Sequence, residues 1–255
     1  MHVLLTHEEG LGPPELGATR DLLILTGMSV VTMATAPASD LQAGALFTLQ
    51  SADPECNPVY GVSGPADEAL AQAVEQGLQA QLCVVLSQDM AECGDSPAAG
   101  AALAAARLGL PVLNVRYPKH GHSAPDAWIS DLATEVAAVA LARPMPAAAM
   151  LVLTAPPRLL ARVPVLMPPD VATHSLRDGP QTDRPAPRAH ERDALAQGQI
   201  TLTPVQLGTA PAADAADLAQ WAQALVHTLH SRLSGSTMRC ACCAPSLLPP
   251  ISHSH

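Results

Sequence analysis

Short apolar runs alternate with helical segments along residues 1–156, and this alternation limits the possible folds more than any other feature of the chain. Each run is rich in Val, Leu and Ala and is short enough to form one buried strand. We predict strands at 2–6, 28–36, 81–87, 111–117 and 149–156. Strands that alternate with helices are typical of an α/β protein, here a three-layer α/β/α, Rossmann-like, mostly parallel sheet.

The segments between these strands have the spacing and the boundary residues of helices. The segment 13–27 begins with two prolines and ends at Gly27, as helices commonly do. The other predicted helices span 65–78, 96–110 and 126–142. With helices between consecutive strands, the carboxyl ends of the strands should meet at one edge of the sheet, where ligands bind in such folds.

The sequence changes character after Pro156. Residues 157–192 are rich in Pro and Arg and have weak periodicity, which indicates an extended arm. A strand at 199–207 and a helix at 212–233 follow, and the helix carries an apolar stripe formed by Leu218, Trp221, Leu225 and Leu229. We therefore predict a core at 1–156, an arm, strand and helix of the same domain at 157–233, and a disordered tail at 234–255.

Charge and composition exclude several classes of protein. The formal net charge is −10 and Lys119 is the only lysine, which argues against binding to nucleic acid or to an anionic membrane surface. The amino terminus has no basic segment before its first apolar run, and no stretch has the length of a membrane span, so we expect a cytoplasmic protein. The six cysteines have no spacing typical of a disulfide framework.

The first predicted strand runs into His7-Glu8-Glu9-Gly10, and the later strands are followed by APASDLQAG (36–44) and SQDM (87–90). This order of motifs resembles the SurE (survival protein E) family of metal-dependent nucleotidases and phosphomonoesterases. That family begins with a strand that runs into Asn-Asp-Asp-Gly, where this chain has His7-Glu8-Glu9-Gly10. The later segments that correspond to family motifs, each with departures from the family's residues, are APASDLQAG (36–44), SGPAD (63–67), SQDM (87–90), DSPA (95–98), LVLTAPP (151–157) and ALAQGQITLTPVQL (194–207). The resemblance covers roughly residues 1–233 and implies the fold predicted above, together with a homodimer or homotetramer.

The resemblance also implies a metal site, because family members hold a divalent ion with two carboxylates, a serine and an asparagine. The carboxylates correspond to Glu8 and Glu9, whereas the serine corresponds to Ala43 and the asparagine to Met90. A serine that faces the phosphate corresponds to Ser96. Oxygen ligands suit Mg²⁺ or Mn²⁺, but neither Ala43 nor Met90 supplies one.

Nearby residues could replace the two missing ligands. Asp89 adjoins Met90, and Ser39 and Asp40 lie in the loop that lacks the serine. His7 could serve as a proton donor or as a ligand for a softer ion such as Zn²⁺. The alternative at each position is structural: adjacent glutamates are commonly solvated, and Ser96 is a suitable N-cap for a helix over 97–108.

Two principal functions follow from this set of residues. In the first, the chain is a metal-dependent phosphomonoesterase of nucleotidase type, with Glu8, Glu9 and Asp89 at the ion and Ser96 at the phosphate. In the second, it is a non-catalytic relative that serves in binding or assembly. A third possibility is that the cysteines and histidines of residues 240–255 bind a soft metal, although their spacing fits no established zinc pattern.

Overall fold

The computed structural model describes thirteen stretches of the chain. They are residues 2–7, 14–35, 47–49, 57–62, 79–89, 98–118, 127–143, 145, 149–156, 165–166, 172–174, 189–207 and 212–235. The strands are β1 (His2–His7), β2 (Ser29–Thr35), β3 (Phe47–Leu49), β4 (Val59–Val62), β5 (Leu82–Asp89), β6 (Val112–Pro118), β7 (Ala149–Thr154), β8 (Val165–Leu166), β9 (Ala172–His174) and β10 (Ile200–Leu207). The helices are α1 (Pro14–Leu25), α2 (Ala98–Arg107), α3 (Ala127–Ala142), α4 (Ala189–Ala196) and α5 (Ala212–Gly235).

All ten strands belong to one mixed, mostly parallel sheet. Its order is β3-β4-β2-β1-β5-β6-β7-β10-β8, and β9 also pairs with β10. The six strands from β4 to β7 in this order are mutually parallel, whereas β3 and β10 run antiparallel to their neighbours β4 and β7. Strand β1 therefore lies in the middle of the parallel part, between β2 and β5.

The two faces of the sheet pack against different helices. On one face, Leu5, Val84 and Leu113 share an apolar cluster with buried residues of α1, α3 and α5. On the other face, Cys83 and Val85 pack against four buried alanines of α2. Small side chains on α2 allow the helix to approach the sheet closely, which is consistent with a chain that has only 2% aromatic residues.

Helices α1 and α2 end in the same way before the strands that follow them. Gly27 and Gly109 have φ angles of +83° and +82°, in the left-handed region that favours glycine. The amide of each glycine bonds three residues back, and the next residue, Met28 or Leu110, bonds five residues back. This is the Schellman arrangement, and it satisfies the last carbonyls of each helix and returns the chain to the sheet.

The structure confirms the predicted α/β fold. Each predicted strand and each predicted helix that falls within the described residues is present, and β10 completes the sheet beside β7. The predicted helix at 65–78 lies outside the described residues. The sequence did not predict β3, β4 or α4, nor the two short strands β8 and β9 within the proposed arm at 157–192. The domain boundary at 156 stays a prediction, and the proposed tail is described only as far as the end of α5.

The apolar stripe of α5 faces the interior of the same chain. Leu218, Leu225 and Leu229 are buried in the cluster that also contains Leu5, and Trp221 packs against it. The indole Nε1 of Trp221 donates a hydrogen bond of 3.0 Å to the carbonyl of Arg143, just after α3. The leucines of this stripe are therefore covered by the core of the same chain and do not form an exposed apolar face.

None of the helices that the structure describes is both long and apolar enough to span a lipid bilayer.

Candidate functional site

The candidate site lies at the carboxyl edge of the parallel strands, where β1 ends beside β5 and β5 continues for three more residues. His7, the last residue of β1, is the register partner of Leu86 on β5. Glu8 and Glu9 follow His7 in the sequence, and Asp89 is the last residue of β5. The parallel pairing thus brings the ends of these two strands to one edge, as the sequence predicted.

Most of the predicted site residues lie outside the part of the chain that the structure describes. Among the predicted site residues, the structure describes both the backbone and the side chain of His7. For Asp89 it describes the backbone alone, as the end of β5. The residues outside the described ranges are Glu8, Glu9, Ser39, Asp40, Ala43, Met90 and Ser96, together with the cysteines and histidines of the tail. Their assignment to a site therefore stays a prediction.

His7 is fully buried and makes a specific contact with Tyr117 of β6. Its Nε2 lies 2.7 Å from the hydroxyl of Tyr117, and the two rings meet edge to face with centroids 6.2 Å apart. Tyr117 is itself 1% exposed, and β5 runs between the two strands that carry the pair. Which of the two groups donates the proton depends on the tautomer of the imidazole.

Burial decides the protonation state of His7. Removal of the ring from water lowers the pKa of His7 from 6.5 to about 4, because the charged form loses its hydration. The imidazole is therefore neutral at pH 7, and it is not a cationic proton donor at that pH. Because Nε2 already contacts the hydroxyl of Tyr117, that nitrogen is engaged within the protein and is not directed to a metal ion.

A row of polar residues crosses the opposite face of the sheet, beneath α2. Ser87 of β5, Arg116 of β6 and Thr154 of β7 are successive register partners, and Thr201 of β10 continues the row beside Thr154. Ser87 and Thr154 are buried, and Arg116 is partly buried. The hydroxyl of Ser87 donates toward Asn114 Oδ1 at 3.3 Å and toward the carbonyl of Val115 at 3.4 Å.

Tyr117 and Arg116 are site residues that the sequence analysis did not single out. Both belong to VLNVRYP, which was correctly interpreted as a strand. The available signal was the presence of an arginine and a tyrosine at the carboxyl end of an otherwise apolar run. Strand order then decides what each contacts, because β6 lies two strands from β1 and directly beside β5 and β7.

The described residues alone do not form a metal site. Among them, no group of three or more His, Cys, Asp and Glu side chains could hold an ion. The carboxylates that chemically suit Mg²⁺ or Mn²⁺ are Glu8, Glu9 and Asp89. A metal centre at this edge would therefore depend on side chains beyond those that the structure describes.

Comparison with known proteins shows a similarity of fold. No protein-family model matches the chain, and no curated protein matches it. Among solved structures, the chain is similar to the crystal structure of a SurE protein from Aquifex aeolicus, with a TM-score of 0.54 and 14% identity. The match covers 81% of this chain and 93% of the Aquifex chain. At this identity the comparison shows a shared architecture, and the chain has a SurE-like α/β fold.

Proposed function

We propose that this protein is a divalent-metal-dependent phosphomonoesterase that acts on nucleoside monophosphates or similar esters. The observation that carries the proposal is the parallel pairing of β1 with β5, in which His7 is opposite Leu86. Three carboxylate residues adjoin this pairing in sequence, namely Glu8 and Glu9 after β1 and Asp89 at the end of β5. The SurE-like fold supports the same choice of edge.

Each residue has a separate part in the proposed site. Glu8 and Glu9 would hold the ion, Asp89 would assist them, and Ser96 would face the phosphate. Mg²⁺ or Mn²⁺ is the expected ion because all three carboxylates offer hard oxygen ligands, and Zn²⁺ is the softer alternative. A divalent ion at such a site polarises the phosphoryl group and lowers the pKa of bound water.

His7 and Tyr117 would support this site without taking part in the chemistry. Their hydrogen bond joins the end of β1 to β6 directly before Glu8. A neutral, buried imidazole carries no positive charge, so it neither repels a metal ion nor competes with that ion for the carboxylates. We therefore assign the pair a positioning role, with His7 as the anchor of the carboxylate segment.

A non-catalytic binding or assembly protein is the second candidate. It is favoured by Ala43 and Met90, which correspond to two family ligands and have no oxygen ligand in their side chains. We further propose a homodimer or homotetramer in either case, formed by surfaces other than the buried leucine stripe of α5. Light scattering at micromolar concentration tests this assembly, and a monomer would contradict it.

The test of activity compares two double variants of the full chain. Glu8→Gln with Glu9→Gln removes the predicted ligands, and Asp193→Asn with Asp217→Asn removes two exposed carboxylates elsewhere as a matched control. After treatment with a chelator, each protein is assayed on p-nitrophenyl phosphate and AMP with Mg²⁺, Mn²⁺, Co²⁺ or Zn²⁺. We expect turnover that needs added metal, persists in the control and is lost in the Glu8/Glu9 variant.

Metal-dependent thermal stabilisation separates the two candidate functions further. An ion that binds only the native protein raises the melting temperature, and it should do so in the wild type and the control but not in the Glu8/Glu9 variant. Absence of both turnover and stabilisation with every ion would instead support the non-catalytic alternative. In that case the double substitution should be neutral or slightly stabilising, because it removes a repulsion between adjacent carboxylates.

A further inference from the structure

The polar row on the α2 face of the sheet interrupts an otherwise largely apolar surface. Ser87, Arg116 and Thr154 occupy one register row across β5, β6 and β7. Four positions earlier along the same strands, the equivalent row is Cys83, Val112 and Met150, which pack against α2. The change from an apolar to a polar row occurs toward the carboxyl edge, which is the edge that carries the candidate site.

Among the described residues, two hydroxyl groups of this row have weak or missing partners. Thr154 is only 4% exposed, and its Oγ1 is buried without a hydrogen-bond partner among the described residues. Ser87 is 2% exposed, and both of its hydrogen bonds are longer than 3.2 Å, which is long for a hydroxyl donor. A buried hydroxyl without a partner is destabilising, so its retention calls for an explanation such as a ligand.

The charge at this position favours an anion. Arg116 lies between the two hydroxyl-bearing residues, and neighbouring strands are separated by about 4.8 Å. Helix α2 packs on β5, β6 and β7 and begins near the same edge, because the chain enters it after β5 and leaves it into β6. The positive end of the helix dipole therefore adds to the charge of the guanidinium.

We propose that Ser87, Arg116 and Thr154 form a phosphate subsite that binds the anion without a divalent ion. The guanidinium of Arg116 would supply paired, charge-assisted hydrogen bonds, and the two hydroxyls would donate from either side. Arg116 also interacts with other groups of the protein, and its five N–H donors are enough to serve both those groups and a phosphate. The inference deepens the proposed function and rests on it for the identity of the substrate, since the subsite would hold the phosphoryl group of the ester.

Inorganic phosphate is the probe for this subsite. Isothermal titration calorimetry with the full chain in EDTA, at constant ionic strength adjusted with NaCl, measures binding in the absence of metal. We expect Arg116→Gln to weaken phosphate binding at least tenfold and Thr154→Val to weaken it severalfold. Arg116→Lys should fall between the wild type and Arg116→Gln, because it keeps the charge and loses the paired donors.

Two matched variants control for general effects of charge and of buried hydroxyls. Arg107→Gln removes an exposed arginine at the opposite end of α2. Thr134→Val removes a hydroxyl on α3 that is also buried and without a partner among the described residues, on the other face of the sheet. Both variants should bind phosphate as the wild type does. Thr154→Val should also raise the melting temperature in phosphate-free buffer, because it removes a buried hydroxyl that has no partner among the described residues. The phosphate affinity of this variant therefore tests the subsite even if Arg116→Gln does not fold.

The outcomes for the subsite and for the proposed enzyme are distinguishable. Wild-type protein that shows no phosphate binding beyond a chloride-matched blank overturns the subsite, as does unchanged affinity in folded Arg116→Gln or in Thr154→Val. Metal-dependent hydrolysis that is unaffected by Arg116→Gln would also exclude the subsite while leaving the enzyme intact. Phosphate binding that follows the expected pattern, in a protein that hydrolyses no ester, would support the subsite and reject the enzyme.

Discussion

The imidazole of His7 and the hydroxyl of Tyr117 are joined by a 2.7 Å hydrogen bond across strand β5, although 110 residues separate them in sequence. Both side chains are buried; His7 is the last residue of β1, and Tyr117 is the next to last of β6, at the edge where the candidate site lies. The pair joins the end of β1 to β6 directly before the two adjacent glutamates. The stability of the first strand end should therefore depend on a residue far from it in sequence.

Substitution of Tyr117 by Phe should destabilise the protein by about 1–3 kcal/mol, because Nε2 of His7 would lose a buried partner. Urea unfolding monitored by circular dichroism gives the free energy of unfolding. The control is a double-mutant cycle with His7→Leu, in which the two changes should be strongly non-additive. Additivity within about 0.5 kcal/mol would show that the two side chains are energetically independent.

Acidification from pH 6.5 to about 4 should destabilise the protein through His7. The pKa of His7 is lowered to about 4 in the native protein by burial, whereas 6.5 is its ordinary value. In this window the unfolded chain binds a proton that the native protein does not, so the free energy of unfolding falls as pH falls, by up to roughly 3 kcal/mol. The measurement is urea unfolding at several pH values.

The comparison that isolates this effect uses two histidine variants. In His7→Gln, the difference between its free energy of unfolding and that of the wild type should change with pH across the window. The matched control is His227→Gln, which replaces an exposed histidine of α5. Parallel pH profiles for wild type and His7→Gln would mean that His7 titrates alike in the folded and unfolded chains.

Truncation of a leucine side chain in the α5 stripe should destabilise the single folded chain, independently of any assembly. Leu225→Ala removes a fully buried side chain from the core and should cost about 2–5 kcal/mol. Gln223→Ala, at an exposed position of the same helix, should change stability by less than about 0.5 kcal/mol. The loss in Leu225→Ala relative to the wild type should not vary with protein concentration; a loss that did vary would indicate that the stripe forms an intermolecular surface.

Cys83 should be unreactive in the native protein. It is fully buried in β5, and burial raises the pKa of its thiol to about 12. Alkylating reagents attack the thiolate, which is almost absent from Cys83 at pH 8. Peptide mass spectrometry after treatment with iodoacetamide should find Cys83 unmodified in native buffer and modified in denaturant. Similar labelling rates in both conditions would contradict the burial of this strand.

The central strands were predictable because their own residues determine them. Residues 82–86 of β5 form a continuous apolar run that is buried on both faces, and α5 has four apolar residues at helical spacing. Strands β8 and β9 have two and three residues, too few for any period to be visible. They pair with β10, so their structure depends on a partner strand that lies later in the sequence.

The candidate site was predictable in place but not in composition. Alternating strands and helices indicate which edge of the sheet carries ligands, and β1 ends at that edge with His7. The contact of His7 with Tyr117 depends on the strand order β1-β5-β6, which no local pattern contains. The polar row requires the register of three strands, since the separate segments that contain Ser87, Arg116 and Thr154 do not show that these residues align.

The shared core of the first strand and the last helix has a consequence for synthesis of the protein on the ribosome. Val3 and Leu5 lie in the same apolar cluster as Leu225 and Leu229. At about 5–20 residues per second, roughly ten to forty-five seconds of translation separate the two ends of this cluster. During that interval the face of the sheet that α5 later covers stays open. The nascent chain thus exposes apolar surface of this face until α5 has been synthesised.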